Sequence, residues 1–182
     1  MPTEVIVRCC APTLAGIKVG NLFSHRYTDA EDVVDTVKRQ NRQLNPKGVY
    51  MELVKMADGF ALVYVYRKRR LEELLAKQEI QEFLRPYGYH GQSVEENLVV
   101  LKERLQKDDF PHDIGIFLDY PVEDVKAFIA NKGANCPLTG CWKAYHNVSE
   151  AERKFRSYKR CTEVYCQRYG EGVDIVRLTV AG

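Results

Sequence analysis

Two patterns of apolar residues alternate along the chain, and together they predict helices interleaved with strands. Residues 5–7 (VIV) form a short β-branched run, which favours a buried strand. Pro12 suits the first turn of a helix, because its missing N–H is not needed there, and residues 14–21 continue at helical spacing. The chain is therefore predicted to open with a strand that leads directly into a helix, with Cys10 at the junction.

The next segment combines a helix with a β-hairpin. A capping box at residues 28–31 (TDAE) precedes an apolar stripe, which predicts a helix that ends in the turn at residues 45–48 (NPKG). Apolar runs at 49–56 and 60–66 flank residues 57–59 (ADG), and Asp-Gly between such runs is a strong hairpin signal. The second run, FALVYVY, is almost wholly apolar, which predicts a central strand.

The rest of the chain continues this alternation. Short apolar runs favour strands and capping boxes favour helices. The expected elements are a helix over 71–84, a helix after the capping box at 93–96, a strand over 114–118, a helix from 121, a strand over 142–146, a helix after the capping box at 149–152 and a strand over 173–180. The resulting expectation is a single α/β domain over residues 1–182, with about six strands in a mixed sheet and helices packed on it.

Composition and charge narrow the function classes without choosing one. Of the 182 residues, 45% are apolar and 29% are charged, as in ordinary soluble globular proteins. A net charge of +2 argues against nucleic acid or a membrane surface as the partner. No uninterrupted apolar stretch is long enough for a transmembrane helix, and the first residues lack the pattern of a secretory signal. We therefore expect a soluble cytoplasmic protein whose six cysteines are mostly reduced.

Three stretches carry a resemblance to a known family: CAPTLAGIKVGNLF at 10–23, FPHDIGIFLDYPVEDVKAFI at 110–129 and GCWKAY at 140–145. The chain resembles an uncharacterised family of bacterial proteins, found mostly in anaerobic Firmicutes and described as a domain of unknown function. The resemblance implies a protein of an anaerobe, with a flavodoxin-like partner and a link to iron or redox metabolism. It places the polar landmarks of the family at Cys10, Lys18, Asn21, His112, Asp113, Lys143, Tyr145 and Cys161.

One hypothesis for the chemistry is a cysteine-dependent enzyme of the acyl or amide hydrolase or transferase type. The positive end of a helix lowers a thiol pKa, so Cys10 is the predicted nucleophile and the most reactive thiol. His112 would be its base and Asp119 the residue that orients the base, although Asn147 also fits that role. Cys10 and His112 share one edge of the sheet only if strands 5–7 and 114–118 are antiparallel. The alternative is a small buried cysteine and a loop histidine bonded to backbone.

A second hypothesis is a thiol- or metal-binding protein without catalysis. Cysteine and histidine suit iron, haem iron or zinc. A four-ligand site would have to be assembled from distant segments, with Cys10, His112, Cys141 and Cys161 as the candidate ligands. The spacing of Cys136 and Cys141 is too wide for a compact metal-binding pair.

A third hypothesis is the binding of an anion or a cofactor of unknown identity. Lys18 and Asn21 lie one turn apart on an apolar stripe, where a lysine either extends along the surface to solvent or points into a cleft. Arg67, Lys143 and Tyr145 are further candidates for ligand contacts, although tyrosines in strands more often serve packing. The chain lacks the glycine-rich patterns of standard nucleotide sites.

We expect no equivalent of structural zinc in the purified protein, because no compact pair of metal ligands is present. Metal analysis of protein purified without oxygen checks this expectation. One equivalent of zinc or iron that survives purification, together with unfolding on chelation, would contradict it.

Overall fold

A three-stranded antiparallel sheet forms the centre of the structure, a computed structural model that describes residues 1–57, 59–107 and 109–182. Strands β1 (Gly20–Arg26) and β2 (Val49–Ala57) both pair with β3 (Phe60–Arg67), which confirms the predicted hairpin and the central position of its second strand. Asp58 of the predicted turn lies outside the described residues. A separate two-stranded sheet joins β4 (Leu138–Thr139) to β5 (Lys143–Ala144).

Helices pack on both faces of the central sheet. Their bounds are α1 (Thr3–Leu14), α2 (Ala30–Leu44), α3 (Lys68–Leu75), α4 (Gln78–Leu84), α5 (Val94–Leu105), α6 (Ile114–Phe117), α7 (Val122–Ala130), α8 (Val148–Gly170) and α9 (Ile175–Leu178). Within the described ranges, none of these helices is long and apolar enough to cross a membrane.

β3 is apolar at almost every position because both faces of the sheet are covered. Its side chains alternate, so that Tyr64 and Tyr66 enter one core while Val63 and Val65 enter the other. Helices α3 to α7 close the first core, and α1, α2 and α9 close the second. Helix α8 lies along α1 and packs Tyr165 and Tyr169 against the second core.

The opening of the chain differs from its prediction, since the expected strand at residues 5–7 is part of helix α1. Ile6, Cys10 and Leu14 recur at helical spacing and are all buried in the second core. Three β-branched residues are too few to distinguish a strand from a buried helix. The helix predicted over 14–21 is also wrong, because α1 ends at Leu14, residues 15–19 form a turn and β1 begins at Gly20.

Two more predicted strands are helices, and a third is shorter than expected. Residues 114–118 contain α6, residues 173–180 contain α9, and residues 142–146 contain only the two-residue strand β5. Each segment is a short apolar run, which can be buried equally well as a helical turn. The α/β class fits at the level of helices on a small sheet, but the expectation of about six strands in a mixed sheet is wrong.

Local signals at helix ends were more reliable than short apolar runs. Helix α2 begins near the predicted position, with the Asp29 side chain accepting a hydrogen bond from the Glu31 amide. Ser93 and Glu96 form the predicted capping box of α5. The box expected at the start of α8 is not formed, because Asn147 is the N-cap in a left-handed conformation and makes no side-chain bond to the helix.

A buried ion pair joins α5 to the segment that precedes α6. The carboxylate of Asp113, which is 1% exposed, accepts hydrogen bonds from Arg104 Nη2 at 2.6 Å and from the Tyr89 hydroxyl at 2.7 Å. A buried carboxylate is costly unless such partners surround it, so this pair fixes how the chain enters α6. Asp113, one of the polar landmarks of the family resemblance, therefore has a structural role in this ion pair.

Replacing Asp113 by Asn is expected to lower the free energy of unfolding by about 3 kcal/mol, because it leaves the Arg104 charge without its buried partner. Urea denaturation measures this change. Glu73→Gln is the matched control, since it neutralises an exposed carboxylate that also pairs with an arginine, Arg69. It should cost less than about 1 kcal/mol. Equal effects of the two substitutions would contradict the role given to Asp113.

Candidate ligand-binding site

A cavity of about 530 Å³ lies between the start of β1, the segment after α6, the loop before β5 and one face of α8. Its size is within the range that holds small ligands. The polar and aromatic residues that line it include Lys18, Asn21, Tyr120, Cys141 and Tyr158, and also Cys9, Lys159 and Glu163. Two of these, Lys18 and Asn21, are among the candidates from the sequence.

A tight turn between α1 and β1 places Lys18 at this cavity. Gly16 has a φ of 76°, which a glycine adopts without strain. The amides of Ile17 and Lys18 both donate to the carbonyl of Pro12, at 2.9 and 3.1 Å, so the chain reverses at once after the helix. At Gly20, a Cβ would lie 2.6 Å from the Tyr64 hydroxyl, so only glycine allows β1 to approach the sheet core this closely.

Arg67, a candidate for ligand contacts, instead stabilises this turn. Its guanidinium donates to the carbonyls of Thr13 at 2.7 Å, Leu14 at 2.5 Å and Val180 at 2.8 Å. Burial lowers the pKa of Arg67, yet an arginine stays charged under ordinary conditions. Arg67 therefore neutralises the carbonyl end of α1 and does not line the cavity of Lys18.

The ammonium of Lys18 is buried beside two aromatic rings. The residue is 4% exposed, and its Nζ lies 5.4 Å from the ring centre of Tyr120 and 5.7 Å from that of Tyr158. Burial lowers the pKa of Lys18, while the neighbouring Cys141 and Asp119 act in the opposite direction. Among the described residues, no atom accepts a hydrogen bond from Nζ and no carboxylate lies at salt-bridge distance, and Nζ keeps some contact with the cavity.

Asn21 adds further hydrogen-bond donors at the same cavity. Its side-chain oxygen accepts a hydrogen bond from the Thr13 hydroxyl at 2.7 Å, which fixes the side chain. The amide hydrogens on Nδ2 have no acceptor within the described ranges. Lys18 and Asn21 together therefore present N–H donors to whatever enters the cavity.

The structure contradicts the reason given for a reactive Cys10. This residue lies in the second half of α1, not at a helix N-terminus, and it is 0% exposed. Burial raises its pKa well above the ordinary thiol value, so the thiolate is disfavoured. A nucleophile in this position has neither access to a substrate nor the expected electrostatic activation.

His112 lies at a different cavity, of about 490 Å³, where its ring contacts Phe128 at a centroid distance of 4.9 Å. Cys10 does not line this cavity, so the expected approach of Cys10 and His112 at one edge is not seen among the described residues. Asp119 is not beside His112 either. Its carboxylate accepts a hydrogen bond from the Val19 amide at 3.4 Å and lies near Lys18 instead.

The remaining candidates mostly support loops and helices. Lys143 donates from Nζ to the carbonyl of Gly133 at 2.6 Å, and the Tyr145 hydroxyl donates to that of Ala134 at 3.0 Å. Burial raises the pKa of Cys161, on α8, to about 11. Within the described ranges no three histidine, cysteine or acidic side chains converge as metal ligands, so the set Cys10, His112, Cys141 and Cys161 is not assembled.

Sequence reasoning missed the two tyrosines and the position of Cys141. Nothing in the spacing of Tyr120 or Tyr158 along the chain indicates a cation beside either ring. Cys141 reaches the cavity because Asp124, which is buried, holds the neighbouring chain. The Asp124 carboxylate accepts hydrogen bonds from the Trp142 indole at 2.8 Å and from the Tyr145 amide at 2.9 Å. These contacts join segments that are distant in sequence, so no local motif predicts them.

Comparison with known proteins gives one informative result. A family model described as "Protein of unknown function (DUF3793)" matches residues 6–179. No curated protein and no solved structure matches the chain.

Replacing Lys18 by Met is expected to raise the free energy of unfolding near neutral pH by on the order of 1 kcal/mol, because an apolar side chain tolerates this site better than an unpartnered charge. The folded chain holds the Lys18 pKa below its ordinary value. Between those two pKa values the unfolded chain binds more protons, so wild-type stability rises with pH. The stability advantage of Lys18→Met over wild type should therefore shrink between about pH 7 and about pH 10, just below the ordinary lysine pKa of about 10.4, in urea denaturation.

Lys159→Met is the control, since Lys159 lines the same cavity from α8 but is exposed to solvent, unlike Lys18. Its stability should differ little from wild type at both pH values. A Lys18→Met variant that is less stable than wild type near neutral pH would show that the ammonium is stabilised by the fold as it stands.

Proposed function

The chain belongs to the DUF3793 family of proteins of unknown function, and we propose that it binds a small carboxylate in the cavity of Lys18. The observation that carries this proposal is the ammonium of Lys18, a residue that is 4% exposed: Nζ keeps contact with the cavity and has no hydrogen-bond acceptor among the described residues. A buried cation without an acceptor is unfavourable, and a charge-assisted hydrogen bond to an entering anion relieves that cost.

The surroundings of Lys18 favour a monoanion over phosphate. Lys18 is the buried cation of the cavity, and the Asp119 carboxylate near it repels a second negative charge. The rings of Tyr120 and Tyr158 offer apolar surface to the rest of the ligand. A carboxylate attached to a short apolar or aromatic group matches both features.

Binding fits these contacts better than the other functions suggested by the sequence. A Cys10–His112 enzyme needs a thiolate and a base at one cavity, whereas Cys10 is buried and His112 lines another surface. An iron or haem site needs converging ligands, which the described residues do not provide at the candidate positions. Lys18 and Asn21, the pair suggested for anion binding, do line one cavity.

The single tryptophan of the chain packs against two rings that line this cavity, which makes its fluorescence a probe of ligand binding. Trp142 stacks on Tyr120 at 5.2 Å and meets Phe155 at 4.5 Å, and both rings line the cavity. Butyrate and benzoate are expected to change its fluorescence in a saturable way, and butyramide and benzamide much less. Lys18→Met should weaken carboxylate binding by roughly 10- to 100-fold, because it removes a charge-assisted hydrogen bond worth about 1.5–3 kcal/mol.

Lys159→Met serves again as the matched control and should shift the titration by no more than about twofold, since an exposed charge contributes little. Equal responses to the carboxylates and their neutral amides would contradict the proposal. So would carboxylate titrations that Lys18→Met leaves unchanged while the variant is shown to be folded by circular dichroism.

A further inference from the structure

Cys141 is the one exposed cysteine of the six in the chain. It lines the same cavity as Lys18, and among the charged neighbours of Lys18 it has the strongest influence on the lysine pKa. The cavity wall covers part of Cys141, and this partial loss of solvent raises the pKa of its thiol. The Lys18 ammonium opposes that rise because it stabilises the thiolate. The thiol and the unpartnered ammonium therefore face one space.

The backbone on both sides of Cys141 is held firmly. Its carbonyl accepts a hydrogen bond from the Tyr120 hydroxyl at 2.9 Å, and the amide of Gly140 donates to the carbonyl of Trp142 at 3.0 Å. A Cβ at Gly140 would lie 2.2 Å from the Phe155 ring, so the chain reaches Cys141 by a close approach that only glycine permits. Because the backbone at Cys141 is fixed in this way, the residue is held at the cavity before a ligand arrives.

We propose that Cys141 is a nucleophilic thiol that reacts with a small carboxylate-bearing electrophile held by Lys18. This inference rests on the proposed carboxylate binding and adds a covalent step to it. The carboxylate binds the ammonium and Asn21, which brings the electrophilic carbon beside Sγ of Cys141. Cys10, the nucleophile expected from the sequence, does not line this cavity, and Cys141 takes its place as the proposed nucleophile.

The step needs no oxidant or reductant. The Cys141 thiol loses its proton to solvent, and Sγ forms a bond to the electrophilic carbon. The bond between that carbon and its leaving group breaks, and the leaving group departs with the electron pair. Lys18 stays protonated throughout, because its charge serves to bind the carboxylate and to stabilise the thiolate.

Iodoacetate and iodoacetamide test the proposal on the full native chain, because they differ in charge but form the same kind of S–C bond. Each cysteine is mapped by mass spectrometry after short labelling. We expect Cys141 to be labelled first. The rate ratio of iodoacetate to iodoacetamide should be about tenfold higher at Cys141 than at Cys136, a half-buried cysteine of the same loop region that does not line this cavity.

Two variants and one competitor show whether Lys18 causes the preference of Cys141 for iodoacetate. Lys18→Met should reduce the ratio at Cys141 to the value at Cys136, Lys159→Met should leave it within about twofold of wild type, and butyrate should protect Cys141 from iodoacetate. If Lys18→Met does not fold, the butyrate protection on wild-type protein and the ratio in Lys18→Gln decide the matter instead.

A ratio at Cys141 that equals that at Cys136, or that persists in a folded Lys18 variant, overturns the proposal. Slower labelling of Cys141 than of Cys136 by both reagents also overturns it. In these cases the tryptophan titration can still give saturable carboxylate binding, so failure of the reactive thiol is distinguished from failure of the proposed function.

Discussion

The burial of β3 on both faces is the constraint on which the rest of the structure depends. An antiparallel strand whose side chains are apolar in both directions requires cover above and below, which α1 and α2 provide on one side and α3 to α7 on the other. The last residue of β3, Arg67, then binds the carbonyl end of α1. Through that contact the central strand also positions the turn that carries Lys18.

The charge of Lys18 is expected to lower the free energy of unfolding, because the residue is almost fully buried. The charged side chain of Lys18 lies at a cavity beside the rings of Tyr120 and Tyr158. The Asp119 carboxylate near it accepts a hydrogen bond from the Val19 amide instead. A leucine or methionine would satisfy the packing without that cost. Residues that lower stability without a structural return are typical of functional sites, because binding rather than folding benefits from them.

Lys18 differs from most other polar residues of the family resemblance in lacking a hydrogen-bond partner within the described part of the fold. Asp113 meets Arg104 and Tyr89, Lys143 meets Gly133, and Tyr145 meets Ala134, so each has its partner within the fold. Lys18 and Asn21 keep donors that face a cavity. A polar landmark in the sequence therefore does not by itself distinguish a structural residue from a binding residue.

By itself, the sequence determined the features that depend on near neighbours: the hairpin of β2 and β3, the central position of β3, and the capped starts of α2 and α5. The helical stripe expected to carry Lys18 is not formed, because α1 ends at Leu14 and residues 15–19 are a turn. Only the tertiary structure decided whether short apolar runs such as residues 5–7 and 114–118 are strands or helices, because both conformations bury them equally well. It also decided that Cys141, Tyr120 and Tyr158 line one cavity with Lys18, while Cys10 is buried in the second core and His112 lines a different cavity. Such meetings are set by the packing of α8 and of the Asp124-held loop against distant segments, and no spacing along the chain encodes them.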